Sequence, residues 1–201
     1  MARQIILAKP RSNAHIEATA LRFVQKYQPD VLEGGPKPFD ILKFFDCHME
    51  RDYGVSPDYA ITPTNAHAYT DINDMKAVVS STLIDDDSQE TFLRATVSHE
   101  VGHVVLHVDE FRKMKKLLRF MHDDDNIKLR LYREDQVVLY RNPEWQAWRF
   151  AGAVMMPASV VYSAAREGIG SHRMSALFNV SHAFLMTRLR ALKLTDQVEL
   201  F

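Results

Sequence analysis

The sequence Thr96-Val97-Ser98-His99-Glu100-Val101-Gly102-His103-Val104-Val105 contains a His-Glu-x-x-His pattern. On an α-helix, residues i and i+4 lie about 40° apart around the axis and about 6 Å apart along it, so His99 and His103 project from one face. Two imidazoles in this arrangement can bind one zinc ion. Glu100 follows His99, where its carboxylate can reach a water on the ion rather than the ion itself. The pattern therefore indicates a zinc hydrolase with two histidine ligands, a base and an open coordination position.

The residues that flank the histidines distinguish this interpretation from a chance match in a histidine-containing helix. Thr96, Val97, Val101, Val104 and Val105 carry no charge, so the helix is expected to be buried around its imidazoles. Burying two close imidazoles without a metal ion or other polar partners costs free energy. The flanking residues therefore favour metal binding.

Length, composition and net charge limit the kinds of protein that this chain can be. The chain has 201 residues, 46% hydrophobic and 25% charged, which suggests one globular domain with at most a small appendage. The net charge of −1 does not favour nucleic acid or an anionic membrane as a partner. Cys47 is the single cysteine, so no intrachain disulfide is expected. The first apolar run is too short for a signal peptide, and no stretch approaches the roughly 20 apolar residues of a membrane span. These features predict a cytoplasmic protein.

The remaining chain is predicted to form helices around short β-rich regions. Helices are predicted at about 12–28, 40–54, 88–107, 110–122, 143–156 and 159–167. Two short strands are predicted at 67–72 and 76–84, just before the central helix. Strict alternation at 127–132, followed by an apolar run at 136–140, predicts a β-hairpin.

Two residues of the central helix carry further information. Gly102 lies in the middle of the helix, where glycine costs about 1 kcal/mol relative to alanine, so we expect another backbone to approach closely there. His107 is in phase with His103, but three stacked turns span too far for one tetrahedral ion. We therefore do not expect His107 to be a third ligand.

A second motif begins at Asn142-Pro143-Glu144, which is a strong helix start: a capping residue, proline at the first position and an acid in the first turn. Ala147 and Phe150 follow on the inward side of the predicted helix. From its position alone, Glu144 is most simply a surface glutamate favoured by the helix dipole.

The segment His99–His107 together with Glu144–Pro157 resembles the ImmA/IrrE metallopeptidases. The pattern of that family is His-Glu-x-Gly-His ending in a further His, then Glu-x-x-Ala-x-x-Phe-Ala and a Leu-Met-Pro-like end. Both motifs occur here in the same order and with the same internal spacing, and the likeness is clearest from about residue 88 to residue 192. Met155 stands where the family has leucine, and Trp148 replaces a small polar residue.

The resemblance implies an α+β, mainly helical zincin-like fold with a small sheet before the central helix and a C-terminal helical cap. It implies a metallopeptidase domain at residues 1–158 and a helical segment at 159–201 packed on the same domain. It also implies that His99, His103 and Glu144 bind Zn²⁺ and that Glu100 is the general base.

The family similarity further implies a zinc endopeptidase that cleaves a helix-turn-helix repressor, in a mobile element or in a stress response. We expect the chain to be the peptidase unit alone, because its length leaves no room for a large sensory domain. Zinc lowers the pKa of a bound water toward about 7, and Glu100 takes its proton. Candidate donors to the oxyanion are Tyr132, Tyr140, His107 and His182. The strand at 76–84 is hypothesised to line the cleft and to pair with an extended substrate segment.

Two other functions stay open at this point. One is a metal-stabilised module that binds a repressor or DNA without cleaving it. The other is a DNA-binding regulator, because the predicted helices around Asn179 look like a helix-turn-helix whose second helix, Ser181–Leu192, carries basic residues. The net charge of −1 offers no broad basic field, which favours a helical cap over a DNA-binding element.

Overall fold

In the computed structural model, residues 3–62, 66–122 and 129–199 are described. The predicted α+β class is confirmed: these residues form many helices and two small β-sheets. The helices are α1 (Asn13–Tyr27), α2 (Ile41–Cys47), α3 (Met49–Tyr53), α4 (Ser81–Ile84), α5 (Glu90–His103), α6 (Asp109–His122), α7 (Pro143–Met155), α8 (Ala158–Arg166), α9 (Ser171–Phe178) and α10 (His182–Leu192). The strands are β1 (Gln4–Ile6), β2 (Ser56–Ala60), β3 (Ala68–Asp71), β4 (Lys76–Ser80) and β5 (Leu131–Arg133).

The centre of the fold is a layer of three helices in which α7 packs between α5 and α1. The inward face of α1 consists of Ile16, Ala20, Phe23 and Val24, all buried. The ring of Phe23 meets that of Phe150 on α7 edge to face, with 5.4 Å between their centroids. This packing places the helix that carries His99 beside the helix that carries Glu144.

Gly102 makes the approach of α5 and α7 possible, as the sequence predicts. A Cβ atom at this position would lie 2.8 Å from the carbonyl oxygen of Ala147 and 3.0 Å from its Cα. Real Cβ atoms do not approach backbone so closely, so any larger residue would force the helices apart.

Replacing Gly102 with alanine should therefore destabilise the protein by about 1–3 kcal/mol, the usual cost of an overpacked core. Urea denaturation monitored by circular dichroism measures this. Gly152→Ala is the matched control, because its Cβ would meet only side-chain atoms at 3.6 Å or more, and alanine at a helical glycine is favourable by up to about 1 kcal/mol. Equal stability of the two variants would contradict the prediction.

The sheet before the central helix is present, with strand order β2-β4-β3. β2 runs parallel to β4, and β3 runs antiparallel to it. The predicted strand at 76–84 is too long, because residues 81–84 form the helical turn α4 that leads towards α5. Since β4 is paired on both edges, the hypothesis that this strand binds a substrate segment is wrong. Within the described chain β2 and β3 each have one edge free of pairing, and of these two strands β3 is the one that lines a cleft beside α5.

The predicted β-hairpin between the two motifs is wrong, although residues 127 and 128 of it lie outside the described residues. β5 pairs antiparallel with β1 at the start of the chain, not with residues 136–140. After β5 the chain forms 3₁₀ turns at Glu134–Gln136 and Leu139–Arg141. An alternating pattern shows that a strand forms, but it does not show which distant segment pairs with it.

The predicted break between the central helix and the basic helix is also wrong. α5 continues through a π-helical segment, Val104–Val108, directly into α6. Glu110 is not an exposed residue at a helix start but is only 8% exposed. Its carboxylate accepts hydrogen bonds from Arg11 and from the backbone of Lys9, so an acid is stable inside this helix.

The C-terminal helices lie against the same core, with α10 in contact with α7. Arg188 on α10 is 3% exposed and donates to the carbonyl oxygen of Met156 and to the carboxylate of Glu17. This guanidinium is therefore unavailable for a DNA phosphate. Within the described ranges, no helix has the length and hydropathy needed to cross a membrane.

Candidate metal centre

Three side chains converge where α5 and α7 meet. His99 Nε2 lies 3.2 Å from Glu144 Oε2, His103 Nε2 lies 3.5 Å from Glu144 Oε1, and the two imidazole nitrogens are 3.1 Å apart. A tetrahedral zinc ion with bonds of about 2.05 Å has ligands about 3.3 Å apart. The separations and the two-nitrogen, one-oxygen donor set therefore fit a zinc ion with one open position.

Local structure explains why Glu144 reaches the histidines. The side chain of Asn142 caps α7 by accepting hydrogen bonds from the backbone N–H groups of Glu144 and Trp145, at 2.8 and 3.2 Å. The cap fixes Glu144 in the first turn, and the close approach at Gly102 brings that turn to His99. A carboxylate at a helix N-terminus is also favoured by the helix dipole.

The protonation of the cluster follows from its burial and from its hydrogen bonds. Burial lowers the pKa of His99. Burial acts in the same direction on His103, but hydrogen bonding to Glu144 outweighs it and raises the pKa of His103. Burial would raise the pKa of Glu144, yet its hydrogen bonds with His103 and His99 prevail and lower that pKa. Both pKa shifts favour the charged forms, so Glu144 attracts a proton to His103, and a divalent cation can take the place of that proton.

Glu100 lies beside this cluster but is not part of it. Its side chain is buried, and Oε2 accepts a hydrogen bond of 2.6 Å from the hydroxyl of Thr70 on β3. The carboxylate is therefore held in a defined position without serving as a ligand, as a general base requires.

A cleft of about 280 Å³ opens onto the cluster. One wall belongs to β3 and the other to β1, β5 and the start of α7. Its lining includes Arg3, Ile5, Ala68, Tyr69, Thr70, Ile72, Leu131 and Pro143. The guanidinium of Arg3, 64% exposed, donates to Glu144 Oε2 at 3.0 Å. Arg3 and Thr70 are not predicted from the sequence, because nothing local marks residues that reach the site from distant segments of the chain.

Of the four candidate oxyanion donors, some lie near the cleft and others lie away from it. His107 lines the cleft, whereas Tyr132 and Tyr140 do not. Tyr132 packs against the guanidinium of Arg130, and Tyr140 is 51% exposed. His182 hydrogen-bonds to Ser171 among the C-terminal helices. The structure thus brings only His107 to the cluster.

His107 is linked to Gln146, which the sequence analysis also missed. Its Nε2 lies 2.9 Å from Gln146 Oε1, and its Nδ1 lies 3.2 Å from His103 Nδ1. Burial lowers the pKa of His107 well below its usual value, so the ring is neutral. One signal was available: Gln146 precedes Phe150 by one helical turn, so a polar residue lies on the inward face of α7 and needs buried partners.

His99, the first histidine of the motif, is held by aromatic packing. The ring of His99 packs against that of Trp148, with 4.3 Å between centroids and 30° between the ring planes, and its Nδ1 is buried without a hydrogen-bond partner among the described residues. Trp148 in turn meets Phe184 of α10 edge to face. The tryptophan that departs from the family pattern therefore packs directly against one candidate ligand.

Comparison with known proteins agrees with this geometry. Residues 82–190 match the model of the Peptidase M78 family, described as the IrrE N-terminal-like domain. The chain belongs to this family. The match includes both motifs of the ImmA/IrrE pattern, His99–His103 and Glu144, and it supports a zinc metallopeptidase-like domain.

A solved structure has a similar fold. It is described as a Mycobacterium tuberculosis transcriptional regulator, with a TM-score of 0.55 and 15% identity. The match covers 87% of this chain and 46% of that one, so this chain spans about half the length of the regulator. At this identity the likeness concerns the fold alone. No curated protein matches the chain.

Proposed function

We propose that this protein is a zinc-dependent endopeptidase. The observation that carries the proposal is the convergence of His99, His103 and Glu144 beside a buried carboxylate, Glu100, that is not needed as a ligand. A zinc ion held by the first three residues would supply Lewis-acid activation of a water and of a peptide carbonyl.

In this proposal, Glu100 moves the protons of the reaction. Its carboxylate accepts a proton from the attacking water and later delivers it to the nitrogen of the leaving amine. The hydrogen bond from Thr70 engages Oε2, and Oε1 would exchange the proton with the reacting groups. The low accessibility of Glu100 limits competition from bulk water.

The substrate segment is proposed to bind along β3. Ala68, Tyr69 and Thr70 of this strand line the cleft, and the strand has one unpaired edge in the described chain. An extended peptide can add to such an edge by backbone hydrogen bonds, which would carry its carbonyl past the cluster. β3 thereby takes the role that the sequence analysis assigned to residues 76–84.

The substrate is proposed to be a DNA-binding repressor of the helix-turn-helix type. This step rests on the resemblance to ImmA/IrrE peptidases. Because strands wall the cleft, the part of the repressor that enters it would be an extended segment and not a folded helix.

The test starts from protein stripped of metal by a chelator. After reloading with a stoichiometric amount of zinc, the protein should cleave either candidate repressors or a proteome-derived peptide library, with products identified by mass spectrometry. Stripped protein should not cleave. A protein that binds zinc and holds a repressor without cutting it would instead be a metal-stabilised binding module.

Replacing Thr70 with valine should reduce kcat by about tenfold, because the charge-assisted hydrogen bond that orients Glu100 is worth roughly 1.5 kcal/mol. Zinc affinity should not change, since in the described chain the Thr70 side chain hydrogen-bonds to Glu100 and to none of the three candidate ligands. Steady-state cleavage and zinc titration measure the two effects. Thr187→Val, which removes an exposed hydroxyl on α10, is the control. An unchanged kcat in Thr70→Val would show that Glu100 needs no orienting partner.

A further inference from the structure

A series of hydrogen bonds links His103, one of the proposed zinc ligands, to the N-terminal segment. It begins at His103 Nδ1, passes through His107 and reaches Gln146. His107 and Gln146 are 1% and 0% exposed, and the proposed reaction uses neither. Buried polar groups are almost always hydrogen-bonded, so the donor and acceptor at each step can be assigned in turn.

The orientation of the Gln146 amide is set by three neighbours. Its Nε2 donates to the carbonyl oxygens of Lys9 and Tyr140, at 2.9 and 2.8 Å. Its Oε1 accepts from the guanidinium of Arg11 at 2.8 Å. Carbonyl groups cannot donate and a guanidinium cannot accept, so a flipped amide would lose these hydrogen bonds. Gln146 Oε1 is therefore an acceptor, and His107 Nε2 carries the proton between them.

The assignment at His107 determines that at His103. A neutral imidazole carries one N–H. With its proton on Nε2, His107 accepts at Nδ1, so His103 Nδ1 must be the donor across the 3.2 Å between them. A neutral His103 then has its lone pair on Nε2. That nitrogen faces His99 and Glu144.

Charged side chains stabilise the end of this hydrogen-bond series that is farther from His103. Arg11 donates to Glu110 Oε2 at 2.7 Å and to the carbonyl oxygen of Leu106 at 2.5 Å. Arg11 thereby connects the N-terminal segment to the helix that carries His103 and to Gln146 on α7. Within the part of the chain that the structure describes, His99 has no comparable support, because its Nδ1 lacks a hydrogen-bond partner there.

We propose that Gln146, through His107, is a positioning residue that keeps His103 protonated on Nδ1 and presents its Nε2 lone pair to the metal. The inference rests on the proposed zinc site, but it concerns the metal-free protein as well. Partners in the outer shell of a zinc-binding histidine typically change metal affinity by about 10- to 100-fold.

The test is NMR of metal-free protein with ¹⁵N-labelled histidine, read at a pH where the ring ¹⁵N shifts show that His103 is neutral. Two-bond ¹H–¹⁵N correlations report which ring nitrogen carries the proton. The wild-type protein should show His103 as the Nδ1–H form. Gln146→Leu and His107→Phe should each show a mixture of tautomers, and chelator competition should show about 10- to 100-fold weaker zinc binding.

Gln25→Leu and His15→Phe are matched controls, because both residues are exposed on α1. They should leave the tautomer and the zinc affinity unchanged. An Nε2–H form of His103 in the wild-type protein would overturn the proposal, even where a variant is too unstable to study. Wild-type tautomer and affinity in both Gln146→Leu and His107→Phe would also overturn it. The expected tautomer in a protein that does not bind zinc would support the positioning role and contradict only the proposed function.

Discussion

Replacing Glu100 with glutamine is expected to lower kcat/KM for peptide hydrolysis by about 10²- to 10⁴-fold, the range that general acid–base catalysis contributes. The amide has the shape of the carboxylate and can still accept the hydrogen bond from Thr70, so the fold should not change. It cannot accept the proton of the attacking water. Zinc content should remain that of the wild-type protein, because Glu100 is not one of the three converging side chains.

The measurement combines cleavage kinetics with metal analysis of the same sample. Glu33→Gln, an exposed glutamate remote from the cleft, is the control and should retain full activity. A Glu100→Gln variant within a factor of a few of wild-type activity would exclude the proposed mechanism. A variant that still binds a repressor, next to a wild-type protein that never cleaves it, would favour the alternative of a binding module.

The parts of the structure that follow from local sequence are those with strong helix signals. Asn142 caps α7 as predicted, and Ser12 caps α1 at the predicted start near residue 12, because a side-chain oxygen before an apolar stripe satisfies free N–H groups at any helix start. The spacing of His99 and His103 fixes their common face without reference to the rest of the chain. Gly102 was informative because a helical glycine needs a compensating contact.

The parts that could not be predicted depend on segments far apart in the chain. β1 and β5 pair over more than a hundred residues, so the alternation at 127–132 was given the wrong partner. Arg3 meets Glu144 across 141 positions, and Thr70 meets Glu100 across 30. No local pattern marks such pairs, because each residue is an ordinary surface or strand residue until the fold brings it to the cleft. The same reason explains why position alone left Glu144 as a surface residue.

Replacing Glu144 with glutamine is expected to weaken zinc binding by more than about 100-fold, beyond the range for outer-shell partners. The variant loses an anionic ligand, and the two imidazoles that remain are insufficient for a tetrahedral protein site. Free zinc at about 1,000 times the wild-type Kd should stabilise the wild-type protein by about 4 kcal/mol, and the same concentration should stabilise the variant by less than about 1.5 kcal/mol. Thermal or urea denaturation with and without zinc measures this difference.

Arg3→Gln is the control for Glu144→Gln, because it removes the ion pair with Glu144 but keeps Glu144 as a ligand. Arg3 contacts the same oxygen of Glu144 from an exposed position, so its replacement should leave most of the zinc-dependent stabilisation intact. In the wild-type protein that stabilisation should also fall as the pH drops through the raised pKa of His103, because the proton and the ion compete for Nε2. Equal zinc-dependent stabilisation of Glu144→Gln and wild-type protein would show that the convergence of Glu144 with His99 and His103 is not a metal site, and the hydrolase assignment would fail with it.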